Sequence, residues 1–126
     1  MPRSNDSERG AVAVEFAFVF VLMMGLFFTL VEGGIIFMHQ ASVSAAAREG
    51  ARMLAITGEP GEPVDQAARD AYSFGALDQI TPVGTCSTPP DRSVVVEVEV
   101  LATPTFSLGI FGTPQLKGVG AMRCGG

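Results

Sequence analysis

Residues 11–38 read AVAVEFAFVFVLMMGLFFTLVEGGIIFM, and this stretch decides the architecture. Between Phe16 and Val31 no side chain carries a charge, and the apolar character continues past Glu32 to Met38. Roughly 20 apolar residues in helical form cross a hydrocarbon layer of about 30 Å, so residues 11–38 suffice even when tilted. A cleaved secretory signal has a shorter apolar core of about 7–15 residues that ends in a small-residue site. Here the core is longer, and the small-residue run Ser44-Ala45-Ala46-Ala47 lies well downstream. The stretch therefore reads as an anchor.

The helical pattern does not stop at the membrane. No proline occurs between Pro2 and Pro60, and Val43, Ala47, Gly50 and Leu54 recur at helical spacing. Residues 11–57 are expected to form one helix of about 70 Å at 1.5 Å per residue. About 30 Å would lie in lipid, and the rest would extend outward as an amphipathic stalk. Gly58, Pro60, Gly61 and Pro63 end it.

Beyond the anchor the chain is ordinary in polarity. The whole sequence has 126 residues, 48% of them hydrophobic, with a mean hydropathy of +0.37, and the excess is concentrated in residues 11–38. About 70 residues remain after Thr57, a size at which a covalent staple often supplements a small core. In residues 63–77, Val64, Ala67, Ala68, Ala71, Phe74 and Leu77 fall at helical spacing, with Pro63 and Asp65 suited to a helix start. The period then changes. Val94, Val96, Val98 and Val100 alternate with Glu97 and Glu99, which predicts a strand with one apolar and one charged face. Residues 81–88 and 117–124 are weaker strand candidates. The expected fold class is α+β: a long N-terminal transmembrane helix extending into an exported stalk, plus a small domain of one helix and a two- or three-stranded antiparallel sheet.

Cys86 and Cys124 are the two cysteines. They are too sparse for a zinc site, and in an oxidising compartment they are expected to pair. The bridge would close about 38 residues, for which chain entropy gives roughly 3.5–4 kcal/mol. Two free thiols remain the alternative. An apolar loop carries Phe106, Leu108, Ile110 and Phe111. It is expected to plug the small core, the other reading being contact with lipid or a partner.

The net charge is −5 and no basic run occurs, which argues against a nucleic-acid partner. Catalysis finds no foothold. His39 is the only histidine and reads as a residue at the membrane edge, no phosphate-binding glycine loop is present, and no nucleophile signature occurs. No cofactor or metal is expected, and the chain reads as the substrate of an enzyme rather than an enzyme.

One residue in the anchor is out of place. Glu15 sits inside the apolar run, where a charge costs about 2.5–3.5 kcal/mol at mid-membrane and less near an end. Cleavage after Gly10 would free an ammonium on Ala11, one helical turn away. The two charges could meet within one chain or between neighbouring chains. Gly10 followed by Glu15 and Phe16 resembles the prepilin-peptidase site of type IV pilin-like proteins. Arg9-Gly10-Ala11-Val12-Ala13-Val14-Glu15-Phe16-Ala17 and Ala46-Ala47-Arg48-Glu49-Gly50-Ala51-Arg52 together resemble the TadE family of pseudopilins. The tail Gly118-Val119-Gly120-Ala121-Met122-Arg123-Cys124 is similar to the end of many family members.

The resemblance implies a small single-pass protein of a tight-adherence (Flp) pilus system. It implies processing at Gly10, Ala11, Glu15 and Phe16 by a prepilin peptidase. The implied partners are other Tad/Flp assembly proteins and pilin-like subunits, met through the N-terminal helix within the lipid bilayer. Residues 1–10 would be a cytoplasmic leader, 11–57 the transmembrane and stalk helix, and 58–126 an extracytoplasmic domain. Arg3 and Arg9 before the span nearly balance Arg48 and Arg52 after it. The processing motif and the cysteines therefore set the orientation, N-terminus in the cytoplasm, in the inner membrane and pilus-associated. The patch Arg48, Glu49 and Arg52 reads equally as a solvated helix face or a docking surface. Glu32 reads as an interfacial carboxylate, and Gly25, Gly33 and Gly34 as helix-packing or ordinary membrane glycines. The alternative to the pilin reading is an uncleaved, signal-anchored envelope protein with a small extracytoplasmic binding domain.

Overall fold

The computed structural model describes residues 5–104, 109–110 and 112–125. Helix α1 runs from Asn5 to Thr57, 53 residues, or about 80 Å. It ends where expected. Gly58 adopts φ +84° and its N–H reaches the Leu54 carbonyl at 2.9 Å, the left-handed closure that glycine makes without a Cβ clash.

Helix α2 spans Glu62–Ala71, shorter than the stretch 63–77 that the apolar spacing predicts. Tyr72 is already extended (φ −91°, ψ 118°), so Phe74 and Leu77 pack on the core from outside the helix. Three strands follow: β1 Gln79–Val83, β2 Val95–Ala102 and β3 Leu116–Arg123. They form one antiparallel sheet in the order β1-β2-β3, with Val83 opposite Glu97 and Glu97 opposite Ala121. The α+β architecture is the one the sequence predicts. The first strand, however, covers 79–83 rather than 81–88, because the chain turns at Gly84 (φ +92°). In β2 the alternation is realised: Val96, Val98 and Val100 are buried, and the side chains of Glu97 and Glu99 face outward.

The core lies between the outer half of α1 and the inner face of the sheet. Val43, Ala46, Ala47, Ala51 and Leu54 of α1 meet Val64 and Ala68 of α2, the three β2 valines and Leu116. Burying such side chains stabilises by about 1.5–3 kcal/mol each for the valines and leucines. The continuation of the membrane helix is therefore also the spine of the small folded unit. β3 can lie on that spine because two of its inward positions, Gly118 and Gly120, are glycines. A Cβ at Gly118 would stand 2.7 Å from the Val43 carbonyl oxygen, and one at Gly120 would collide with the Ala47 carbonyl. The loop residues Phe106, Leu108 and Phe111 lie outside the described residues.

Candidate functional site

Along α1 the chemistry changes in steps. At the N-terminal end, Gly10, Ala11, Glu15 and Phe16 all lie on helix and are all exposed. Ala11 and Glu15 are one turn apart, and Phe16 stacks on Phe20 with ring centroids 6.2 Å apart. From Val12 to Val31 the large apolar residues face outward, including Phe18, Leu22, Phe27 and Leu30. The most apolar 18-residue window has a mean hydropathy of 2.4 and none of it is buried. A helix at the core of a water-soluble protein would bury such residues, and exposed apolar surface on this scale requires a non-aqueous neighbour. The helix fits a single-pass membrane protein.

The first buried residue after this surface is Glu32, 1% exposed. It is not the solvated interfacial carboxylate that its position in the sequence suggests. The N–H groups of Gly109 and Ile110 donate to its Oε1 and Oε2 at 3.1 and 3.0 Å. Carboxylate oxygens that accept backbone N–H bonds keep their polarity satisfied away from water. The loop between β2 and β3 is thus tied to the helix at Glu32. Gly25, Gly33 and Gly34 have no protein atom within 4 Å of an added Cβ.

Two turns on, His39 is 4% exposed, with its Nδ1 3.2 Å from the Tyr72 hydroxyl and its ring 4.3 Å from that of Phe74. Its setting is packing: it pins the end of α2 to α1. Burial, and then the negative charge of Asp78, push the Tyr72 hydroxyl above the ordinary tyrosine pKa. Beside it, the Ser73 N–H donates to Ser42 Oγ at 3.1 Å, and Gln40 Nε2 donates to the Lys117 carbonyl at 2.9 Å. One turn of α1 thereby holds both α2 and β3.

The charged patch follows. Arg52 Nη1 donates to Glu49 Oε1 at 2.9 Å, an i,i+3 pair with both side chains substantially exposed, and Arg48 is exposed beside it. Pairs of this kind contribute little to stability, about 0–1 kcal/mol. At the far end, Cys86 and Cys124 are joined, with Cα atoms 5.7 Å apart. The Cys86 N–H donates to the Gly58 carbonyl at 2.7 Å and the Gly125 N–H to the Ala55 carbonyl at 3.2 Å. The bridge thus fastens two segments to the C-terminal end of α1. An open groove of about 440 Å³ beside it is lined by Ile56, Glu59, Ser87 and Pro90 among others. Among the described residues, no three or more His, Cys, Asp or Glu side chains cluster as a metal site would require.

The glycine pair of β3, the Glu32 tie and the His39–Tyr72 contact escape a reading of the sequence. The alternation Gly118-x-Gly120 was the one available signal, since glycine within a strand marks a close backbone approach.

No curated protein and no solved structure matches the chain. One family does match, over a stretch that contains Gly10, Glu15, the exposed apolar surface and the Arg48–Arg52 patch, and that stops before α2 and the sheet. Residues 10–52 of the 126 match the family described as TadE-like protein, to which this stretch of the helix is similar.

Proposed function

We propose that the chain is a pilin-like component of a Tad (Flp) pilus system, held in the cytoplasmic membrane by the inner half of α1 and matured by a prepilin peptidase after Gly10. The observation that carries this reading is the coincidence of the TadE-like match over residues 10–52 with the outward-facing apolar surface of one helix. In this reading residues 1–10 are a cytoplasmic leader and residues 58–126 lie outside the cytoplasm. There the environment favours the Cys86–Cys124 bridge. Its partners are the peptidase, other pilus assembly proteins, pilin-like subunits and lipid.

Cleavage gives Glu15 its role. The new ammonium of Ala11 would stand one turn away and could neutralise the carboxylate within the chain or across a bundle. The unbroken course of α1 through Gly10 favours the rival reading, an uncut anchor with a small envelope domain. Yet a glycine costs a helix interior about 1 kcal/mol, and helix ends open at little cost. Gly10 thus suits a site that must unwind for a protease.

The mass of the chain extracted from membranes decides between them. A species beginning at Ala11, absent from cells without the peptidase, is the expected result. An intact leader in cells with an active peptidase would overturn the reading. In the same cells, Glu15→Ala should impair pilus assembly, and unchanged assembly would remove the charge-pair argument.

A further inference from the structure

The buried carboxyl of Glu32 has a position that its hydrogen bonds alone do not explain. With Glu15 at the inner edge, a hydrocarbon layer of about 30 Å takes up about 20 residues of helix and ends near Ile35 or Ile36. Glu32 then lies about 5 Å inside that edge. The exposure pattern agrees, since Phe37 and Met38, beyond Glu32, are still 74% and 58% exposed. Exposed apolar surface on the other side of the helix therefore reaches past the acid. A carboxyl at this depth needs donors, and water is scarce there. The loop between β2 and β3 brings them: the N–H groups of Gly109 and Ile110 lie on its two oxygens. Gly109 and Ile110 therefore stand beside the helix at the level of Glu32, below that of Phe37. Ile110, whose N–H is held there, is itself 49% exposed.

We propose that the loop at Gly109–Ile110 is a membrane-seated element, with Ile110 in the outer edge of the same bilayer that α1 crosses and the Glu32 carboxyl as its seat. The occupant of this surface is lipid, because Ile110 stands at the level of Glu32, where the neighbouring helix residues Phe28 and Val31 are also apolar and exposed. The arrangement is reciprocal. The two N–H groups give the acid polar partners at that depth, and the acid accepts from two backbone donors there. The folded unit is thus moored at two points, the helix and the loop, which fixes its rotation about the helix axis. This inference rests on the single-pass reading of α1.

The chain contains no tryptophan, so a single one reports its own surroundings. The full chain carrying Ile110→Trp would be placed in phosphatidylcholine–phosphatidylglycerol vesicles whose lipids bear bromine on the upper acyl chain. Blue-shifted emission that loses most of its intensity to the brominated lipids is expected. Val83→Trp, on the outer face of the sheet, should emit as a water-exposed residue and stay unquenched. Phe27→Trp tests the span itself. If it is quenched while Ile110→Trp is not, the mooring is overturned and the span stands. If neither is quenched, both readings fall. Blue-shifted emission at Ile110→Trp without quenching would mean cover by protein rather than lipid, and would also overturn the proposal. Adding Glu32→Ala should shift the Ile110→Trp emission to the red and relieve its quenching, as Gly109 and Ile110 lose the carboxylate that holds them there. An unchanged profile would remove Glu32 as the seat.

Discussion

The two halves of α1 are built from different residues because they meet different neighbours. The inner half carries Phe16, Phe18, Phe20, Leu22, Phe27 and Phe28, all facing outward. The outer half carries Ala46, Ala47, Gly50 and Ala51, all buried. Lipid tails adapt to any side chain, so bulk costs nothing there. A strand lying flat on a helix does not adapt, and Gly118 and Gly120 come close to the helix backbone at Val43 and Ala47, where a Cβ would collide. Side-chain size along one continuous helix therefore records the change from fluid to solid surroundings.

That contrast can be broken at several points. Replacing both cysteines by serine should cost the outer unit about 3.5–4 kcal/mol by loop entropy. Thermal melting in detergent would then show the sheet lost early while helicity from the inner half persists. A melting profile unchanged by the double substitution would contradict the staple. Gly120→Ala drives a methyl into the Ala47 carbonyl, and overpacking of this kind costs about 3 kcal/mol. Denaturant titration of the outer unit should record it, and a neutral result would mean that β3 can lift from the helix freely. On the inner half, Phe18→Leu should leave stability within about 0.5 kcal/mol. A large loss there would show that the surface faces a packed partner rather than lipid. The smallest effect concerns pH. The folded state raises the Tyr72 pKa, so the folded chain holds its proton more tightly than the unfolded one. That stability is complete below the unfolded value of about 10 and declines as pH rises through the folded one. Tyr72→Phe should flatten the decline in alkaline melts.

The sequence declares elements whose signals are local. Residues 11–38 announce their helix by composition, Gly58 its end, and the Val96-Glu97-Val98-Glu99-Val100 alternation its strand. At Gly10 and Glu15 the expectation rests on a motif within one turn or two, and both residues fall inside the TadE-like match. The candidate site was not legible at Glu32, whose donors arrive from residues 77 and 78 positions later. Phe74 and Leu77 continue the helical period of α2 although the chain is no longer helical there. Their apolar faces are used, but the contact of Tyr72 and Phe74 with His39 overrides the local preference. Pro82 within β1 is tolerated because that strand lies at the edge of the sheet.

The unbroken course of α1 makes the protein a lever. It has no proline and no hinge between the Glu15 turn and the turn that carries Leu54. An average membrane-helix inclination of about 20° would swing its outer end sideways by about 10 Å. The sheet, clamped to that end, would travel with it.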